Sequence, residues 1–103
     1  MKRRDETLEV KATVAIGTAK QVADLVDKWV HIASTNFSGA LQLEGSMDGS
    51  LWHVVHEHLA TGSAVSEVVE VPQSWVYLRT NSTTVTSGTV PTAHLGAREA
   101  RSN

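Results

Sequence analysis

The sequence contains no cysteine, which excludes disulfide bridges and thiolate metal sites, so its core must be held by packing and backbone hydrogen bonds. Proline is nearly as scarce, with two residues in 103, and the aromatics are limited to three Trp, one Tyr and one Phe. No apolar run approaches the roughly 20 residues that a membrane-spanning helix requires, so no membrane partner is expected. The opening Met1-Lys2-Arg3-Arg4-Asp5-Glu6 is basic but has no apolar stretch behind it, and no signal peptide is expected either. Cations are also few: nine Lys and Arg stand against eleven Asp and Glu. Residues 1–6 and 98–103 each carry a net +1, which leaves the body of the chain at −4. A nucleic-acid-binding face needs clustered Lys and Arg to neutralise phosphates, and such a body does not supply one. Lys2-Arg3-Arg4 beside Asp5 and Glu6 reads as a solvated terminus.

What the chain does contain is alternation. Leu41 to Val55 reads as two strands around a turn, with Leu41 and Leu43 on one face and Gln42 and Glu44 on the other. Asp48-Gly49 supplies the turn, because Gly accepts positive φ and Asp tolerates or caps the neighbouring position. Trp52 opens the return strand, which Thr61-Gly62-Ser63 closes. Leu8 to Ile16 shows the clearest alternation elsewhere, placing Leu8, Val10, Ala12, Val14 and Ile16 on one face. Residues 18–28 are ambiguous between strand, loop and a short helix. A short extended segment near Val22 to Val26 and a strand from Trp29 to Ser34 are favoured by the β-branched and aromatic residues of the latter. Val65 to Val71 reads as a strand ended by Pro72, and Trp75 to Thr80 as the next. Asn81 to Thr84 is loop-like but β-permissive, and Ser87-Gly88 is a turn. Val90 to Leu95 is a last strand, which Pro91 confines to an edge or to the strand's start. About seven or eight short strands at this spacing predict an all-β fold, a single small antiparallel β-sandwich. Residues 8–96 form the domain, between a flexible charged tail at 1–7 and a flexible tail at 97–103.

Chemistry-bearing patterns are sparse. His56 and His58 share one strand face and are the best metal candidates, with a third ligand to come from His53, His31 or His94; His53, however, lies on the opposite face. No carboxylate spacing completes the set, so hydrogen-bonded or exposed strand histidines are the simpler reading, and no metal or other cofactor is expected. No nucleophile elbow and no phosphate-cradling loop is present. Glu44 with Asp48 makes an imaginable glycosidase pair, but an Asp beside a turn Gly is ordinarily a backbone cap, so no catalytic residue is assigned and the chain is not expected to be an enzyme. Trp29, Trp52 and Trp75, with Phe37, remain as candidates for an interface or ligand platform, against the alternative that they fill the core.

These residues carry a resemblance. Trp29-Val-His-Ile, then Phe37-Ser-Gly-Ala-Leu-Gln-Leu-Glu-Gly-Ser-Met-Asp-Gly-Ser-Leu-Trp52, then Trp75-Val-Tyr-Leu-Arg-Thr80, then Thr86-Ser-Gly-Thr-Val90 resembles a pattern in small tailed-bacteriophage virion proteins, over about Trp29 to Gly96. The resemblance implies a capsid decoration (cement) protein, made in the host cytoplasm, located in the virion, and assembling as a homo-oligomer with the major capsid protein or another virion protein. A tail or head–tail connector component is an alternative within the same class; a carbohydrate-binding or adhesion module using exposed Trp residues is an alternative outside it. Ser46-Met-Asp-Gly-Ser-Leu-Trp52 is also similar to the Asp-box hairpin of sialidase-like propellers, but one residue is missing between Asp and Trp, and a single copy in a chain this short cannot build a propeller.

Overall fold

Period-two alternation and turn chemistry carry the chain into strands throughout, and the computed structural model describes residues 3–71 and 75–99. The strands are β1 (Arg3–Leu8), β2 (Ala15–Ile16), β3 (Lys20–Gln21), β4 (Leu25–Ser34), β5 (Ser38–Ser46), β6 (His53–Thr61), β7 (Val65–Glu70), β8 (Tyr77–Ser87) and β9 (Thr92–Glu99). They form an antiparallel sandwich of two sheets, one ordered β1-β9-β4-β7 and the other β2-β8-β5-β6, with β3 also paired to β8. The expected β-sandwich is therefore present, with nine strands among the described residues where seven or eight were counted from sequence. Its dimensions are 45 × 27 × 18 Å, a thin slab.

The core follows from which face each alternation buries. Val30 and Ile32 of β4, Leu95 and Ala93 of β9 and Val69 of β7 meet Leu41 and Leu43 of β5 and Leu78 of β8 between the sheets. Each large side chain of this kind contributes about 1.5–3 kcal/mol when fully buried. Residues 18–28 hold no helix: β3 and the start of β4 occupy them. A bulge interrupts β4 between Val26 and Trp29, where Asp27 takes φ 50°. The same kink turns Lys28 inward, and its ammonium donates to the Leu25 carbonyl at 3.1 Å. Loss of hydration lowers the Lys28 pKa from its ordinary value.

Four expectations change in the folded chain. The segment expected as a charged tail is a strand: β1 pairs in register with β9 from Arg3↔Arg98 to Leu8↔Ala93. Its charges do not keep it in solvent because the fold supplies partners, Arg4 reaching both Glu6 and Glu99. Likewise β9 runs to Glu99, past the point where the second tail was expected to begin, while 100–103 lie outside the described residues. The continuous strand from Leu8 to Ile16 is broken, because the chain leaves one sheet at Leu8 and joins the other at Ala15. Between them, Thr80 Oγ1 donates to the Glu9 carbonyl at 2.5 Å and Ser82 Oγ to the Lys11 carbonyl at 3.0 Å, so side chains of β8 satisfy backbone that a ladder would otherwise pair. Val14 and Ile16 are consequently exposed rather than in the core. Finally, Asn81 to Thr84, loop-like but β-permissive in sequence, belongs to β8, an inner strand of its sheet. Pro91 immediately precedes β9, at the start of a strand where its missing N–H costs nothing; Pro72 lies outside the described residues.

Candidate functional site

The central hairpin positions most of the candidate residues. β5 and β6 pair antiparallel from Ser38↔Thr61 to Gly45↔His53, and residues 47–52 connect them. Asp48 caps this connection: its Oδ1 accepts from the backbone N–H groups of Ser50 at 2.8 Å and Leu51 at 2.9 Å. Ser46 Oγ accepts from Gly49 N–H at 2.8 Å, and Gly49 stands at φ 82°, where an L side chain is strained. Hydrogen bonds from the Leu51 and Ser50 backbone, in that order, hold the Asp48 carboxyl below its ordinary range. These contacts assign the turn chemistry of Asp48 and Gly49.

The four aromatic candidates do not form one platform. Phe37 is fully buried and Trp75 nearly so, which corrects their place in any interface: both are spent inside the protomer. Trp75 lies on Gly45, where a Cβ would come within 2.5 Å of the indole, and the His53 ring stacks with the indole at a centroid distance of 5.6 Å. Trp29 and Trp52 are half-buried and occupy the outer faces of different sheets. Trp29 covers Gly96, whose lack of a side chain makes room for the ring, and the Arg3 guanidinium stands 5.5 Å from its centroid. Arg3, Asp27, Trp29, Ala97 and Arg98 line a shallow groove beside it.

Trp52 sits in a more ordered setting. The Arg79 guanidinium lies 3.8 Å from the Trp52 ring centroid, while Arg79 Nε donates to Glu44 Oε1 at 2.7 Å. Asn81 Nδ2 donates to the second Glu44 oxygen at 3.2 Å, and Gln42 Nε2 donates to Glu57 at 3.3 Å. The register explains the grouping, since Glu44↔Arg79 and Gln42↔Asn81 are direct partners across β5 and β8, on the face opposite Leu41, Leu43 and Leu78. Only 10% of the Glu44 side chain is exposed, so this carboxylate is close to fully desolvated and held by charge-assisted bonds. Sequence reading missed Arg79, Glu44, Asn81 and Gln42 as a set. The available signal was the polar half of two alternating strands, with a cation and an anion at positions that register brings together.

His56 and His58 do meet a third group, but it is a carboxylate from the opposite sheet. His56 Nε2 lies 2.8 Å from Glu67 Oε1, His58 Nδ1 lies 2.5 Å from Glu67 Oε2, and His58 Nε2 is 3.2 Å from Ser34 Oγ. His58 is completely buried. Burial pushes the Glu67 carboxyl upward, but the hydrogen bonds from His58 and then His56 outweigh it and hold the pKa below the usual carboxylate value. His31 and His94 face each other across β4 and β9, away from this cluster. Among the described residues no group of three or more His, Asp or Glu side chains is placed to hold a metal ion.

No protein-family model and no curated protein sequence matches this chain. Among solved structures, the crystal structure of the SPBc2 prophage-derived protein YomS superposes with a TM-score of 0.67 at 9% identity, covering 93% of this chain and 92% of that one. The likeness shows a shared fold. A subunit of Bacillus endospore appendages, which form a family of disulfide-linked pili, aligns with a TM-score of 0.47 at 17% identity over 96% of this chain and 84% of that one.

Proposed function

We propose that this chain is a non-enzymatic structural component of a bacteriophage particle, a capsid decoration protein that binds the major capsid lattice in many copies. The observation that carries this reading is the apolar surface of the β5–β6 hairpin: Met47, Leu51, Val54 and Leu59 are 58%, 70%, 55% and 62% exposed along one connection and one strand. That strand, β6, is also the least guarded sheet edge. Among the described residues, β1 carries four charges in six residues, β7 carries two carboxylates in six and β2 and β3 have two residues each, whereas β6 offers nine residues with Glu57 as its one carboxylate. Edges are normally blunted by charge or brevity, and an edge that is neither suits pairing or packing with another protein. A fold shared with a prophage-derived protein supports the same direction. Each contact of this size is weak, and repetition over a symmetric lattice makes attachment persist.

The test is mass spectrometry of purified particles of the encoding phage, immunogold labelling, and co-sedimentation of added protein with shells that lack it. Labelling over the head, saturable binding to shells, and loss of binding in Leu51→Asp and Val54→Asp proteins that melt normally are expected. Absence from the particle, or label confined to the tail or neck, overturns the capsid assignment.

A further inference from the structure

Next to this contact surface, since Val54 of β6 is the register partner of Glu44 in β5, the outer face of the five-stranded sheet carries a second arrangement that packing does not require. We infer that Trp52, Tyr77, Arg79, Asn81 and Gln42 form a binding face for a neutral saccharide chain. The inference does not rest on the capsid reading.

Three features point to this ligand class. First, the polar groups are planar and fixed. Glu44, itself sheltered, accepts from Arg79 Nε and Asn81 Nδ2 and so holds both side chains in place before any ligand arrives. Among the described residues no side chain or carbonyl accepts from the Arg79 Nη groups, and the Asn81 carbonyl oxygen is likewise unused. Paired hydroxyls of a sugar ring, each able to donate and accept, match such groups. Second, the centre of the face is electrically balanced, because Glu44 neutralises Arg79 at 2.7 Å. A polyanion meets no excess cation there and a basic peptide finds only Glu57 at the edge, whereas an uncharged polyol loses nothing to the balance. Third, an aromatic group stands at one end. Arg79 supports one side of the Trp52 ring at 3.8 Å and fixes its orientation, and the half-buried indole offers apolar area to the C–H face of a sugar. Tyr77 continues the row, its ring resting against Gly49, where an added Cβ would lie 3.4 Å away. From residue 77 to residue 81 of β8 the row spans about 13 Å at strand rise, enough for a short oligosaccharide.

Affinity electrophoresis of the full chain through gels containing hydroxyethyl cellulose, laminarin, xylan, galactomannan or dextran tests the assignment. Retardation is expected in at least one gel, reduced about tenfold or more by Trp52→Ala and by Asn81→Ala, and unchanged by Trp29→Ala on the opposite sheet. Melting curves accompany each variant. If Trp52→Ala fails to fold, Asn81→Ala and Tyr77→Ala carry the test, because neither side chain belongs to the core. Migration unaffected by all five polysaccharides overturns the proposal, as does retardation that survives Asn81→Ala or is lost in Trp29→Ala. Normal binding of Trp52→Ala to phage shells alongside loss of retardation would keep the saccharide face separate from the particle contact.

Discussion

At the edge strands β6 and β7 of the two sheets, the sandwich is closed by Glu67 between His56 and His58; on the opposite flank, Arg4 and Lys20 gather Glu6, Asp24 and Glu99. The first seam holds three titratable groups and the second five, and the two differ in depth. His58 is fully buried in the first seam, whereas no member of the second is: Glu6 is 24% exposed, Glu99 28%, Arg4 36% and Asp24 67%. A seam with a buried donor depends on every partner being present, because an unsatisfied buried group costs more than a satisfied one contributes. A seam of exposed ions tolerates loss, because water replaces each partner and salt screens the rest. The difference in burial thus gives one flank that should be brittle and one that should be forgiving.

The largest expected effect comes from Glu67→Ala, which strands the buried His58 Nδ1. A loss of about 1–3 kcal/mol in unfolding free energy is expected from urea titration, and a change within error would remove the contrast between the flanks. Acid should reveal the same group. Because the Glu67 pKa is lowered in the folded chain, its contribution is fully present above the ordinary value of 4.5 and disappears as pH falls through the lowered value. Glu67→Gln should therefore flatten the fall in stability below that pH relative to the wild type, as read from urea midpoints at successive pH steps. An equal slope in both proteins would assign acid sensitivity elsewhere. Ser34→Ala removes the partner of His58 Nε2 and should cost about 1 kcal/mol. Smallest is Arg4→Ala, expected below about 1 kcal/mol at low salt and indistinguishable from wild type near 1 M salt. A large, salt-independent loss at Arg4 would show that the β1 flank is as tightly built as its counterpart.

Parts of both seams were legible in advance and parts were not. His56 and His58 fall on one face by their spacing alone, so a shared partner was foreseeable. Glu67 was not, since it reaches them from the other sheet, and two-residue spacing says nothing about which element packs opposite. The same holds for the outer face around Trp52: Gln42 and Glu44 alternate visibly with Leu41 and Leu43, but their pairing with Asn81 and Arg79 depends on the register between β5 and β8. For β1 the local signal actively misled, because a run of charges next to a chain end has no internal indication of a strand. Its partners, among them Glu99, lie 95 residues away from Arg4.

Local chemistry thus determined the strand character of the chain, the Asp48-Gly49 turn and the inward set Val30, Ile32, Leu41 and Leu43, because a period of two and a positive φ act within a few residues. Only the tertiary structure decided that the stretch after Leu8 changes sheets, that Phe37 and Trp75 are enclosed while Trp29 and Trp52 face outward on opposite sides, and which carboxylate meets His58. Those outcomes rest on strand order and register, and they arise from contacts between segments that the chain brings together only by folding.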